Sequence, residues 1–387
     1  MLNFTYENAT KMIFGKGSEN SLCDEIKPYG DRVLLHYGTS SIKKSGLYDK
    51  IVNMLNENGI FFKELGGVQP NPRLSLVYDG IKLVKENDLN FILAIGGGSS
   101  IDSSKAIAIG ALYDGDVWDF YMKKEVIKKA LPVGVILTIS AAGSETSFNS
   151  VISNDDGLLK RGVASNVMRP KFAIMNPEFT FTLPPYQTAA GCCDMMIHVF
   201  ERYFSNTKNV ELIDRLSEGL LKTVIYNSKI ALKDPNNYDA RAEIMLSGSF
   251  AHNGLLGIGK EEDWASHRIE HEISAIYDIT HGAGLAIVTP AWMKYVYKHN
   301  INKFVQYANR VWNIDINFEN LEETALLGIE KTEEFFKSLG LPVRLSEAGI
   351  DGTRISEMAK KACIFGPLGG FVKLNENDIE EILKLCL

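Results

Sequence analysis

The chain has 387 residues, 45% of them hydrophobic, enough to bury a substantial core and more than one ordinary domain requires. A net charge of -7 provides no basic field to gather a phosphodiester backbone, so nucleic acid is excluded as an expected partner. The five cysteines, Cys23, Cys192, Cys193, Cys363 and Cys386, are odd in number and lack CxxC spacing, which points to a reducing cytoplasm.

The opening residues, MLNFTYENATKMIFGKG, lack the charged start, apolar block and cleavage site of a signal peptide. Charged or amide side chains interrupt every apolar run before the roughly 20 residues a membrane helix needs. A soluble cytoplasmic protein with no membrane partner is expected.

In chain order, the first half alternates short β-branched runs with amphipathic stretches. Arg32–Tyr37 (RVLLHY) reads as a strand, residues 50–58 as a helix, 91–95 (FILAI) as a strand, 101–112 as a helix and 133–138 as a strand. Strands that are apolar throughout and separated by helices favour a parallel sheet covered on both faces. At Leu183-Pro184-Pro185 neither helix nor central strand can continue. From Gln187 onward the segments are long and helix-periodic. The expected organisation is an α/β dinucleotide-binding domain over residues 1–184 and a helical domain over 185–387.

Two turns in the α/β half carry candidate chemistry. Gly96, Gly97 and Gly98 follow the 91–95 strand, and Ser99 or Ser100 is placed to cap the next helix. Such a turn lets backbone N–H groups and a helix dipole receive a pyrophosphate, although it is not GxGxxG and an ordinary strand-to-helix connection has the same composition. The second turn, Gly38-Thr39-Ser40-Ser41, is followed by Lys43 and Lys44. Binders of NAD place a carboxylate at such a turn for the ribose 2′-OH, whereas hydroxyls and cations suit a 2′-phosphate. No acid stands in the turn, so NADP(H) is favoured over NAD(H); a solvated turn with surface lysines is the alternative.

The helical half holds four of the chain's seven histidines in two short windows. Asp194 and His198 are four apart, as are His267 and His271, so each pair leaves one helix face about a turn apart. His281 follows at a helix break. One carboxylate and several imidazoles suit Fe²⁺ or Zn²⁺ rather than an all-oxygen Mg²⁺ or Ca²⁺ site, and ligand type does not separate iron from zinc.

Taken together, GGGSSID, TISAAGSE at 138–145, the D-x-x-x-H pair, and H-x-x-x-H followed by HGAGLA resemble the iron-containing alcohol dehydrogenases, with the likeness running to roughly Gly349. Within that family the chain is similar to the NADPH-dependent butanol dehydrogenase and broad aldehyde reductase branch. The resemblance implies a dehydroquinate synthase-like fold, an α/β N-terminal Rossmann-like domain plus an all-α C-terminal domain. It implies Asp194, His198, His267 and His281 as metal ligands, and His271 as a histidine near the nicotinamide that does not bind metal. By the same likeness Gly96, Gly97, Gly98, Ser99 and Asp102 belong to a pyrophosphate-binding segment, and Thr138, Ser140 and Lys160 surround the nicotinamide and its ribose. Gly38, Ser40 and Ser41 form the ribose side, and Asn149 is a pocket residue. The implied reaction passes a hydride between NADP(H) and a small primary alcohol or aldehyde, such as butanol or butanal, in a homodimer or larger homo-oligomer.

His271, one turn from a ligand and with an imidazole pKa near neutrality, is the candidate proton relay; a histidine that only packs beside the ligand is the other reading. Three further functions fit less well. A dehydroquinate synthase-like lyase needs cleft cations, and residues 144–154 contain no Lys or Arg. A silent metal-stabilised scaffold would not need the glycine turn, and a zinc hydrolase would not need a dinucleotide fold.

Overall fold

The computed structural model describes residues 1–387, which form two compact units. One comprises Glu7–Leu183 with Asn236–Met245; the other comprises Met1–Tyr6, Pro184–Pro235 and Leu246–Leu387. The division differs from a single cut after residue 184 by placing Pro184 itself in the helical unit and at two further places. Met1–Tyr6 belongs to the helical unit, where the Leu2 amide donates to Gly259 O at 2.9 Å and the terminal ammonium to Lys208 O at 2.8 Å. Asn236–Met245 belongs to the α/β unit and adds Met245 to its core.

The α/β unit is Rossmann-like. Its strands are β1 (Lys11–Phe14), β2 (Arg32–Tyr37), β3 (Phe61–Leu65), β4 (Phe91–Gly96), β5 (Val133–Leu137), β6 (Asn149–Asn154), β7 (Leu159–Ala164) and β8 (Phe172–Met175). Six of them form a parallel sheet in the order β1-β8-β5-β4-β2-β3, and β6 and β7 form a separate antiparallel hairpin. The period-2 alternation of a strand sorts the apolar runs onto two faces. Val33, Leu35, Tyr37, Phe91, Leu93 and Ile95 enter one core, while Leu34, Ile92, Ala94, Val133, Val135 and Leu137 enter the other. Helices α1 (Leu47–Glu57), α2 (Leu74–Glu86) and α3 (Gly98–Gly110) connect the strands. From β2 the chain adds β3 on one side and β4, β5 and β8 on the other, so the order reverses at the β2/β4 pair. In open parallel sheets, ligands bind beyond the carboxyl ends of strands at such a reversal.

The helical unit begins with α4 (Pro185–Tyr203). Pro184 is its N-cap and Pro185 its first residue, where a missing N–H costs nothing. It continues with α5 (Glu211–Lys233), α6 (Tyr238–His252, whose first half belongs to the α/β unit), α7 (Ala265–Tyr277) and α8 (His281–Val296). The last helices are α9 (Ile301–Trp312), α10 (Leu321–Ser338), α11 (Ile355–Ala362) and α12 (Glu376–Leu385). Residues 282–293 of α8 are all buried, as expected for a helix apolar on every side. No helix is long and apolar enough to cross a membrane.

Candidate active site

Three helices of one unit carry the metal candidates: Asp194, His267 and His281 each place a ligand atom within 4.8 Å of the others, and His198 lies beside Asp194. Asp194 and His198 project from α4, His267 from the first turn of α7, and His281 is the first residue of α8. Asp194 Oδ1 is ringed by three imidazole nitrogens, His198 Nε2 at 3.4 Å, His267 Nε2 at 3.6 Å and His281 Nε2 at 3.8 Å. These separations are too long for good hydrogen bonds. They are close to the spacing of roughly 3.4 Å expected between ligands of a tetrahedral ion with metal–ligand bonds of about 2.1 Å. Asp194 Oδ1 and His267 Nε2 are buried without a hydrogen-bond partner, a costly state that an ion between them would relieve. The donor set therefore fits a divalent ion of borderline softness.

Behind this ring stand two carboxylates. Glu201, two turns beyond Asp194 on α4, accepts from His267 Nδ1 at 2.8 Å and from the amides of His267 and Trp264 at 3.1 and 2.6 Å. Glu270 accepts from His281 Nδ1 and from the Ser274 hydroxyl. Because an ionised carboxylate only accepts, each pair fixes a proton on the imidazole Nδ1 and turns Nε2 toward Asp194. For His267, burial opposes the charged form, but Asp194 and Glu201 outweigh it and raise the imidazole to about 9. His198 has no carboxylate on its far side; burial, then the neighbouring His252 and His267, push it well below its ordinary value. Trp264 is held in left-handed backbone (φ 67°) at the α7 N-cap, its ring edge-on to His198 and His267. His271 lies partly buried on α7, its ring centroid 5.8 Å from that of His281.

In the α/β unit the glycine turn and the hydroxyl turn follow adjacent strands. Tyr37 pairs with Ile95, so Gly38 and Gly96 leave neighbouring carboxyl ends at the reversal of strand order. Ser99 and Ser100 do not cap the helix. They lie inside α3, whose N-cap is Gly97 in extended backbone without a side-chain cap. The first-turn N–H groups are thus left to an incoming anion instead of being met by a hydroxyl. Thr138 N donates to Gly96 O at 2.9 Å, and the Ser140 hydroxyl is buried without a partner. Thr39, Ser40 and Ser41 are exposed.

Other predicted residues have additional partners. Both carboxylate oxygens of Asp102 are engaged, Oδ1 by the Ser144 hydroxyl at 2.5 Å and Oδ2 by the Val151 amide at 2.9 Å. Lys160 Nζ, on the hairpin, donates to Asn71 Oδ1 at 2.9 Å; Asn71 is itself buried with φ 54°. Asn149 opens β6. The turn after β2 contains no acid, but β3 delivers one. Glu64 Oε2 lies 3.7 Å from Lys43 Nζ and accepts from Tyr37 and Tyr48, so Lys43 is not a free cation for a phosphate.

Sequence reasoning passed over Glu201, Glu270, Asn71, Glu64 and Lys105. The i to i+7 spacing from Asp194 to Glu201 keeps both on one face of α4, and Lys105 leading straight into the apolar run Ala106-Ile107-Ala108-Ile109 was a legible sign of a buried cation.

Residues 9–177 match the family model described as iron-containing alcohol dehydrogenase, and residues 188–387 match the C-terminal model of the Fe-containing alcohol dehydrogenase family. The chain is 48% identical over 387 residues to an NADH-dependent butanol dehydrogenase A of Clostridium acetobutylicum, covering 99% of each. It is 38% identical over 364 residues to an NADPH-dependent aldehyde reductase of Escherichia coli, covering 93% of each. The crystal structure of an NADH-dependent butanol dehydrogenase A from Thermotoga maritima superposes with a TM-score of 0.97 at 40% identity, covering 100% of this chain and 99% of the other.

Proposed function

Since this chain belongs to the iron-containing alcohol dehydrogenase family, metal-dependent oxidoreductases of alcohols and aldehydes, we propose that it interconverts small primary alcohols and aldehydes such as butanol and butanal, using NADP(H). The observation that carries this reading is the ring of three Nε2 atoms at 3.4 to 3.8 Å around the buried, unpartnered Asp194 Oδ1. Asp194, His198, His267 and His281 would hold Fe²⁺ or Zn²⁺. When bound, the ion supplies Lewis acidity at the substrate oxygen, and the nicotinamide supplies or accepts the hydride.

The remaining chemistry falls to side chains and backbone. Glu201 and Glu270 keep the ligand imidazoles in one tautomer. The uncapped start of α3, with Gly96, Gly97, Gly98 and Ser99, receives the pyrophosphate. Gly38, Ser40 and Ser41 meet the adenosine ribose, while Thr138, Ser140 and Lys160 meet the nicotinamide side, Asp102 holding the segment next to them. Asn149 lines the substrate pocket. His271 moves the proton between the substrate oxygen and solvent, its ring centroid lying 5.8 Å from that of His281.

Cofactor choice rests on the acid-free turn after β2, which suits a 2′-phosphate. The names of the relatives pull the other way for those at 48% and 47% identity, which are called NADH-dependent, so NAD(H) is the second reading. The test follows absorbance at 340 nm with butanal and NADPH or NADH, using protein stripped of metal and reloaded with Fe²⁺ or Zn²⁺. Metal-dependent oxidation, faster with NADPH, is expected; faster NADH oxidation reverses the cofactor assignment, and no turnover in any arm removes the dehydrogenase reading.

A homodimer or larger assembly in the cytoplasm completes the proposal. Met1, Leu2 and Phe4 are 56%, 48% and 54% exposed and offer apolar surface to a second copy. Sedimentation at micromolar concentration should give at least twice the monomer mass, and a monomer would remove this part.

A further inference from the structure

Lys105 sits in the second turn of α3 with no solvent-exposed surface, among Ala106, Ile107, Ala108 and Ile109. Its ammonium is surrounded by five oxygens of one short segment: Ser144 O at 2.7 Å, Ser144 Oγ at 2.9 Å, Asn149 O at 2.9 Å, Ser147 O at 3.1 Å and Ser147 Oγ at 3.3 Å. Three carbonyl dipoles converging on one point repel each other unless a positive charge occupies it. The 144–149 segment therefore folds around this ammonium. Burial pushes Lys105 down to about 8, with Asp102 and Glu145 pulling against it, so the ammonium keeps its charge at neutral pH. One turn earlier on α3, Asp102 takes the Ser144 hydroxyl and the Val151 amide. The two side chains together grip both ends of the segment that carries Asn149, from the helix whose first residues form the glycine turn.

We infer that Lys105 is a positioning residue of the cofactor site: its buried ammonium folds the 144–149 segment and fixes it relative to the glycine turn at the start of α3. The inference rests on the reading of that turn and of Asn149 as cofactor and pocket residues. It concerns the α/β unit alone, whereas Asp194, His198, His267 and His281 belong to the other unit. Metal binding is therefore an internal control.

The experiment uses the metal-loaded full chain and Lys105→Met, which keeps the apolar stem and deletes the charge. The dissociation constant of the reduced cofactor, read from nicotinamide fluorescence, should rise at least tenfold, with cofactor KM rising in step and kcat at saturating cofactor within a few-fold of wild type. Bound metal per chain should not change. In Lys105→Ala, propylammonium should restore cofactor binding and propanol should not, because the site requires the charge and not the volume alone. If neither variant folds, Ser144→Ala decides: it removes one hydroxyl from the cluster, and a several-fold weaker cofactor affinity is expected.

A folded Lys105→Met whose cofactor affinity stays within twofold of wild type overturns the inference, as does an unchanged Ser144→Ala where the Lys105 variants do not fold. Wild type that binds neither NADPH nor NADH overturns the proposed function itself, and this inference with it. Wild type that binds while the variants are unaffected overturns this inference alone.

Discussion

At the scale of single residues, the carboxylates behind the imidazoles decide how well the ring of donors is kept. Glu201 closes three hydrogen bonds at once, to His267 Nδ1 and to the amides of His267 and Trp264. A Gln there retains one acceptor oxygen and points an NH₂ at groups that are all donors, so at least one buried N–H loses its partner. Glu201→Gln, and independently Glu270→Gln, should each weaken metal affinity about 10–100-fold, measured by competition with a chromophoric chelator. An unchanged constant in both variants would leave these carboxylates with no part in holding the ligands. A second residue-scale prediction concerns His36. It is fully buried on β2, with Nδ1 donating to Leu65 O and Nε2 accepting from the Ser103 hydroxyl, each at 2.8 Å. Burial lowers its folded-state pKa from 6.5 to about 4. Between those values the unfolded chain binds the extra proton, so the neutral ring's contribution is complete above pH 6.5 and is lost as pH falls through 4. At 1.36 kcal/mol per unit the loss is about 3 kcal/mol. Urea midpoints measured from pH 7 to 4 should fall more steeply in wild type than in His36→Gln, and parallel curves would acquit this residue.

At the scale of elements, the close approach of α8 to α4 sets where His281 stands. A Cβ on Gly282 would lie 2.1 Å from Ala190 O and 2.7 Å from Ala190 C, backbone atoms that cannot rotate away. Gly282→Ala must shift α8 relative to α4 and carry His281 away from Asp194. Overpacking of this kind costs about 1–3 kcal/mol, and metal content after dialysis should fall well below one ion per chain; full occupancy at unchanged stability would show that the helices can part without disturbing the ligands. The same packing explains what the sequence made legible. Asp194 and His198, and His267 and His271, were readable because i to i+4 spacing on a helix is local information. Glu201 and Glu270 were not, because a carboxylate on a helix looks like solvated surface until a second helix brings an imidazole to it. The strands divide in a similar way. β2 spans the run read as a strand because all its side chains from Val33 to Tyr37 are buried and apolar except His36. The β6/β7 hairpin escaped notice because NSVISN and LKRGVA are polar and half-buried, with Lys160 and Arg161 inside it. The start of α3 shows the opposite failure, since a serine after a glycine turn reads as a cap, yet here the turn itself is the cap and its N–H groups stay open.

At the scale of the whole molecule, the two chemistries are assigned to different units. All four metal candidates lie in the helical unit, whereas the glycine turn, the hydroxyl turn, Asp102, Thr138, Ser140, Asn149 and Lys160 lie in the α/β unit. A ligand that binds only the native state adds stability of RT ln(1 + [L]/Kd), about 2.7 kcal/mol at a hundredfold excess over Kd, and it does so in the part whose opening would release it. Adding Fe²⁺ or Zn²⁺ to stripped protein should therefore slow amide hydrogen exchange in α4, α7 and α8. Those helices carry the candidate ligands and the carboxylates behind them, and α8 packs its first turn on α4. Adding reduced cofactor without metal should instead slow exchange in the first turn of α3 and in the turn after β2, where the amides that would meet phosphate and ribose are found, and in the 144–149 segment bonded to Lys105 and Asp102 of α3. The division reflects what each ligand needs. An anion is held by backbone N–H groups at the end of a parallel strand, while a divalent ion needs side chains converging from helices that cross closely. Mass spectrometry of peptic fragments separates the two patterns; metal-induced protection spread evenly over β2, β4 and α3 would mean that the ion acts through the whole chain and not through the ring around Asp194.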